Sequence, residues 1–581
     1  MRKSRIFFPK VAKSRGWARS ALQRFRHEES GALIVLGLFL LMGMLMLGGM
    51  ALDLMRHEER RVQMQQTLDR SVLAAASLSQ RLAPEDVVRD YFDKAGLTEY
   101  LRSVSVDEGL NFRTVTADAR ADTQPFFMHM LSAEIASNGF DASAGAQATQ
   151  RISNVEISMV LDVSGSMQDD PARISSLKTA AKEFVTTVLT NNTDLISISV
   201  VPYSGQVNLG PDLFAQYTGI THRHGLDKSW CVDLPTSSYA TTALSSTLAM
   251  PQAGFFDGYS GYGTWNDSRT MVPPRYTDQR KPGEFHYINA SCEPLANNYV
   301  RPFSNNIATL RNQIDALQAN GATSIDAGMR WGVALLDPGS RNVVSGLIGA
   351  GAVPGVFAGR PADFADRETM KVVVLMTDGA HFPDMRIKDA YRTATSNIYR
   401  SRGDGKLSIR FTTGRPTRAG TNEWYVPHLC GRTDSGGRCI SWGKWQAAVH
   451  NSGAGTDRLT WNKVWEYATV DWVAMHMYAR ALSPNPDTWS DVSPRYDAQM
   501  NVFRTTTPAT DMDNRLDDVC DAAKAKGVIV FGIALEALPA GKAVVRNCAT
   551  SSAHYFEETD STLLSAFRAI SSQISHLRLS L

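Results

Sequence analysis

Asp162-Val163-Ser164-Gly165-Ser166 places one carboxylate and two hydroxyls within five residues. Thr323, in Gly321-Ala322-Thr323-Ser324, adds a third hydroxyl, and Asp378, in Thr377-Asp378-Gly379, adds a second carboxylate. Oxygen donors without His or Cys suit a hard divalent cation, Mg²⁺ first, with Ca²⁺ or Mn²⁺ as alternatives. Two carboxylates roughly balance such an ion, and a coordination position left open would attract an Asp or Glu from a partner protein. Each piece also has an ordinary reading: the serines and Thr323 can cap the helices that follow, and Asp378-Gly379 can be a turn. Their common placement at strand ends favours the metal reading.

The elements that must position these residues read as alternating strands and helices. Val155–Leu161 is an almost continuous apolar run ending at Asp162, the pattern of a buried parallel strand. A helix over Ala172–Leu189 and a strand over Leu195–Val201 follow. Further helices are expected over Asn306–Ala319, Ser324–Leu336, Asp511–Lys526 and Ser561–Leu577, with strands over Val372–Met376 and Val528–Ala534. This alternation predicts a doubly wound parallel sheet, whose C-terminal strand edge is where open α/β folds bind ligands. Two long stretches interrupt it, at about 211–300 and 384–505. Structureless loops of that length are improbable in a compact domain, so ordered insertions are expected. The second contains seven of the eleven tryptophans, including Trp461, Trp465 and Trp472 at helical spacing. A small aromatic core pinned by a disulfide is the first reading, and a partner- or carbohydrate-binding face the second.

Residues 31–52 carry no charge, and about 20 helical residues cross a bilayer. The preceding residues 1–30 hold nine Lys or Arg against two acids, a net of +7. The remainder therefore carries −5 of the total of +2. The positive-inside rule puts this head in the cytoplasm and the body across the membrane. The 22-residue run exceeds the usual apolar region of a cleaved signal, which favours an uncleaved anchor. Helix-forming sequence continues over Asp53–Leu82, with Val62, Met64, Leu68, Val72, Leu73 and Ala76 as its apolar stripe. Alternating segments within 100–150 suggest a small sheet, pilin-like in outline.

All six cysteines lie in the predicted exported part, without the paired Cys-x-x-Cys spacing of zinc sites. Proximity in sequence suggests Cys231–Cys292, Cys430–Cys439 and Cys520–Cys548 among the 15 possible pairings. Near-neutral charge argues against a dedicated nucleic-acid binder. Enzyme signatures are lacking. No His-Glu-x-x-His, Gly-x-Ser-x-Gly or phosphate-binding Gly-x-x-x-x-Gly-Lys-[Ser/Thr] occurs, and His381, near Asp378, reads as a loop histidine facing solvent.

The DVSGS, GATS and TDG segments resemble the metal-ion-dependent adhesion site of von Willebrand factor A domains. That resemblance implies Asp162, Ser164, Ser166, Thr323 and Asp378 as the residues around the cation, directly or through water. The two insertions depart from a minimal A domain. The chain more broadly resembles TadG-like proteins of bacterial tight-adherence (Flp) pilus systems. The carrying residues are Glu29-Ser30-Gly31, Asp53-Leu54-x-Arg56, Leu68-Asp69-x-Ser71-x-Leu73-Ala74-Ala75-Ala76, and Ile152-Ser153-Asn154-Val155-Glu156-Ile157 leading into the first motif. Leu36 stands where processed type IV pilins have Glu after the cleavage glycine, which argues against prepilin-type cleavage.

The resulting expectation has four parts: a basic cytoplasmic head (1–30), a transmembrane helix (31–52), a helix plus small sheet (53–150) and an A domain (151–581). It describes a non-enzymatic bacterial inner-membrane protein with its C-terminal domain in the periplasm or at the surface. Its partners would be other pilus-assembly proteins and a protein donating a carboxylate to the cation. The alternatives are a pilin-like structural subunit of the pilus or its base, and a metal-dependent hydrolase.

Overall fold

The computed structural model describes residues 30–580 other than 78–79, 81, 109–111, 128–139, 152–153, 191–194, 225–227, 254–291, 293–294, 367 and 469. The basic head, apart from Ser30, and the middle of the first insertion lie outside the described residues. The chain is mixed α/β and divides into two compact units, 1–152 and 153–581.

In the N-terminal unit one continuous helix, α1 (Ser30–Ala75), carries the uncharged run at its start, with large apolar side chains exposed from Leu33 to Leu47. It stops at Ala75, short of the expected Leu82. Arg113 Nη1 donates to the carbonyls of Ala75 (3.5 Å) and Ser77 (2.8 Å), and so supplies partners that helix-end carbonyls lack. A second helix, α2 (Pro84–Lys94), opens on a proline. Three antiparallel strands follow in the order β1 (Leu101–Glu108), β2 (Phe112–Thr123) and β3 (Phe140–Arg151). Met64, Leu68, Val72 and Ala75 of α1 pack with Val88 and Phe92 of α2 and with Val115, Ala117 and Ala142 of the sheet. The apolar stripe is narrower than expected: Val62 and Leu73 remain exposed.

The C-terminal unit is built on a six-stranded sheet. Its strands are β4 (Asn154–Asp162), β5 (Ile196–Tyr203), β6 (Arg301–Ser304), β7 (Thr369–Thr377), β8 (Ile529–Leu535) and β9 (Tyr555–Glu558), in the order β9-β8-β7-β4-β5-β6. All neighbours are parallel except β5 and β6. Alternation along the strands sends side chains to opposite faces. Ile157, Met159, Val372, Val374 and Ile533 point to one core, with helices α3 (Pro171–Leu189), α4 (Ile307–Ala316) and α9 (Leu563–Ser580). Val160, Val201, Val373 and Leu375 point to the other, with α5 (Ile325–Ala334), α6 (Arg341–Gly349), α7 (Ala509–Ala525) and α8 (Pro539–Cys548). Glycines let α5 lie directly on the strands: a β-carbon at Gly328 would fall 2.5 Å from the Tyr203 ring, and one at Gly332 2.5 Å from a Val160 methyl.

The described part of the first insertion merges with the second of these cores through Leu213, Phe214, Tyr217, Val232, Tyr239 and Met250. The second insertion has its own. Its ends meet as an antiparallel pair, Asp384–Ile387 with Arg504–Thr507. Beyond this neck lie a five-stranded antiparallel sheet within 395–460 and helices within 461–503. Trp445, Trp461, Trp465 and Trp472 are buried in its core with Phe411, Tyr425 and Phe503. At the neck Arg386 pairs with Asp384 (2.7 Å), and Arg392 pairs with Asp233 of the first insertion, so buried charges tie the two insertions together. The cysteines pair as Cys231–Cys292, Cys430–Cys439 and Cys520–Cys548, as proximity suggested.

Candidate functional site

The chain runs from β4 to β5 on one side of β4 and later returns to β7 on its other side. The C-terminal ends of β4 and β7 therefore flank the point where the winding reverses, the place where such sheets leave a crevice. Asp162 is the last residue of β4, and Asp378 directly follows β7. Thr323 precedes α5, and its loop is stitched to the first motif by the backbone bonds Asn320 N–H to Val163 O (2.8 Å) and Gly165 N–H to Gly321 O (2.9 Å). The N–H of Phe382 donates to Thr323 O (2.9 Å), which joins this loop to the one after β7.

The side chains meet accordingly. Asp162 is fully buried; Oδ1 accepts the Ser164 N–H (2.8 Å), and Oδ2 accepts the hydroxyls of Thr377 (2.6 Å) and Tyr203 (3.4 Å). Ser164 Oγ lies 3.0 Å from Ser166 Oγ, and Ser166 donates to Asp378 Oδ1 (2.7 Å). A β-carbon placed on Gly379 would lie 3.7 Å from Ser166 Oγ and 3.9 Å from Thr323 Oγ1. The structure thus brings Asp162, Ser164, Ser166, Thr323 and Asp378 to one place.

Both carboxyls are held above the usual carboxylate range. For Asp162 the causes are burial and then repulsion from Asp378; for Asp378 burial leads, opposed by Ser166 and Arg173. A divalent cation would offset both burial and repulsion, and the all-oxygen donor set matches its preference. The residues present fit such an ion. Among the described residues no group of three or more His, Cys, Asp or Glu gathers as a metal cluster, so the donor set here owes as much to hydroxyls as to carboxylates.

Sequence reasoning missed four neighbours. Thr377 and Tyr203 hold Asp162, and Tyr203 also donates to Met376 O (3.0 Å). Arg173, in the first turn of α3, places Nη1 3.3 Å from Asp378 Oδ2 and Nη2 3.4 Å from Glu536 Oε2. Thr377 was visible as part of the Thr377-Asp378-Gly379 segment, whereas nothing local marks Tyr203, Arg173 or Glu536.

His381 corrects its sequence reading. Its side chain is fully buried rather than facing solvent, because α5 and α7 close over it. Nε2 accepts the Asp326 N–H (2.9 Å), and Nδ1 lies 2.6 Å from Asp513 Oδ1. The first bond requires the tautomer protonated at Nδ1, which then donates to Asp513.

Two cavities, of about 430 and 520 Å³, lie away from this site. The first lies beside Leu209–Leu213 and Tyr299–Pro302, and the second beside Phe364, Lys371 and Lys526.

Residues 31–78 match the family described as "Putative Flp pilus-assembly TadE/G-like". A search of curated proteins returns no match. Among solved structures the chain is similar to the vWF domain of the type V pili tip protein Mfa5 from Porphyromonas gingivalis. The identity is 13%, over 74% of this chain and 97% of that one, with a TM-score of 0.30. The pilus adhesin SpaC from Lactobacillus rhamnosus GG is 12% identical over 82% of this chain and 34% of its own, with a TM-score of 0.29. The adhesive tip pilin GBS104 from Group B Streptococcus agalactiae is 11% identical over 72% of this chain and all of its own, also at 0.29.

Proposed function

We propose that the chain is a non-enzymatic, membrane-anchored component of tight-adherence pilus assembly or surface adhesion. In this reading α1 is the anchor in a bacterial inner membrane, with the N-terminus cytoplasmic. The C-terminal unit is a doubly wound von Willebrand factor A domain with two insertions, exposed to the periplasm or the surface. Asp162, Ser164, Ser166, Thr323 and Asp378 would hold a divalent cation, Mg²⁺ first, and the cation would supply an open coordination position for a partner's Asp or Glu. The convergence of three chain segments, at 162–166, 323 and 378, on one edge of the sheet carries the reading. The family match at residues 31–78 supports the pilus context and other pilus-assembly proteins as partners.

Mn²⁺ binding to the full-length protein in detergent tests the site. Wild type should bind one equivalent with hydroxyl-dependent affinity, and Ser166→Ala combined with Thr323→Val should lose it while circular dichroism stays unchanged. Unaltered Mn²⁺ binding in that variant would refute the site. A Mg²⁺-dependent pull-down abolished by Asp162→Ala would extend the test to the partner.

The match to the anchor helix also favours a second reading, a pilin-like structural subunit of the pilus or its base. That reading requires the protein in sheared filament fractions.

A further inference from the structure

In the N-terminal unit the chain leaving β2 comes back to α1 at the end of its uncharged run. The Asp53 carboxylate, buried to 4% exposure, accepts two backbone donors there: Phe126 N–H at Oδ1 (2.9 Å) and Phe127 N–H at Oδ2 (2.7 Å). The Phe127 ring lies against Gly49, where a β-carbon would fall 2.3 Å from Cγ of the ring. Gly49 is four residues before Asp53, so at 1.5 Å per residue Phe127 reaches about 6 Å back along the apolar run. The Arg56 guanidinium sits 4.4 Å from the centre of the Phe126 ring. Yet both rings remain open to the surroundings, 60% and 41% exposed.

This geometry is costly in water and apt at a lipid surface. Two adjacent large aromatics are left uncovered, continuous with the exposed apolar side chains of α1. A loop entering the edge of a bilayer must find acceptors for its backbone N–H groups, and Asp53 supplies both. The two donors in turn compensate a carboxylate that would otherwise be expensive at that depth. Arg56, one turn further out, would lie at the headgroup level, with its charge shared between phosphates and the face of Phe126.

We propose that Phe126 and Phe127 form a second lipid contact. These two residues, at the start of the β2–β3 connection, would insert into the interfacial layer of the same bilayer that α1 spans, at a depth set by Asp53. Two points of attachment would then restrict rotation of the small sheet about the helix axis. The proposal rests on the reading of α1 as a membrane anchor.

Nitroxide accessibility in the full-length protein, reconstituted in phosphatidylethanolamine–phosphatidylglycerol nanodiscs, separates the two ideas. Every described cysteine is disulfide-bonded, so one introduced thiol can be labelled selectively. Labels at Leu45→Cys and Phe126→Cys should both be relaxed better by oxygen than by a nickel chelate, and a label at Ser105→Cys should show the reverse. Adding Asp53→Ala should return the label at 126 to the aqueous value. An aqueous reading at 126 with a lipid reading at 45 would overturn the second contact and leave the anchor standing. Aqueous readings at both positions would overturn both. A lipid reading at 126 that persists with Asp53→Ala would overturn the role given to Asp53.

Discussion

His381 holds Asp326 at the start of α5: the imidazole Nε2 accepts the Asp326 backbone N–H at 2.9 Å. Since Thr323 lies three residues before Asp326 and Asp378 three before His381, this bond clamps together the two loops that carry candidate ligands. Asp513, on α7, fixes the ring from its other side.

His381→Ala should therefore weaken cation binding without removing a ligand. The loss of one such buried hydrogen bond, about 1 kcal/mol, corresponds to roughly 5- to 10-fold in metal affinity if it is felt fully at the site. His381→Asn, which can retain one of the two bonds, should lose less. Mn²⁺ titrations of the two variants give the order, and equal affinity in His381→Ala and wild type would show that the clamp is irrelevant to the site.

Arg173 acts in the opposite direction. Its guanidinium, next to Asp378 and Glu536, supplies positive charge where a cation would bind. Arg173→Met should tighten Mn²⁺ binding on the order of 10-fold, the repulsion between unit and double charges a few ångströms apart in a water-like dielectric. A weaker Kd in this variant would mean that Arg173 mainly orients Asp378.

At the other end of the sheet Glu156 and Lys371 stand opposite each other on β4 and β7, with side chains 0% and 4% exposed. Glu156 also accepts the Ala362 N–H (2.9 Å), and Lys371 donates to Leu336 O (2.9 Å). Glu156→Ala leaves an uncompensated buried ammonium and should cost about 3–5 kcal/mol. Urea unfolding followed by tryptophan fluorescence measures it. A loss below 1 kcal/mol would mean that water reaches Lys371.

His224 provides a pH dependence outside the candidate site. Burial, helped by the nearby Arg392 charge and opposed by the hydrogen bond to Ala253 O, lowers its pKa to about 4. Between about pH 6.5 and 4 the unfolded chain binds a proton there that the folded chain does not, so stability falls as the pH drops through that window. His224→Gln should flatten this part of the Tm–pH curve. Parallel curves for variant and wild type would show an ordinary histidine.

Particular residues explain how much could be read in advance. Asp162 and Asp378 were locatable because the apolar runs before them are long enough to be buried strands and end abruptly at polar residues. The long helix and the paired cysteines were legible for similarly local reasons. His381 was not, because Gly379-Ala380-His381-Phe382-Pro383 reads as loop, and its side-chain partner Asp513 lies 132 positions away. Tyr203 and Arg173 likewise acquire their places through residues remote in sequence. The first insertion was expected to be ordered, but no periodicity indicated that Leu213, Tyr217 and Val232 would enlarge the core of the sheet instead of forming one apart. The second insertion is identifiable as a separate body through the pairing of its two ends, a register that depends on residues 384–387 finding 504–507.

The three disulfides follow one another along the chain without interleaving: 231 with 292, 430 with 439, 520 with 548. In a polypeptide threaded through a translocon from its N-terminal side, each second cysteine emerges when only its eventual partner remains unpaired. Sequential oxidation in order of arrival then yields the native set directly, with no wrong bridge for an isomerase to undo. Were the domain exported in this way, such a connectivity would let it mature while its remainder is still being delivered.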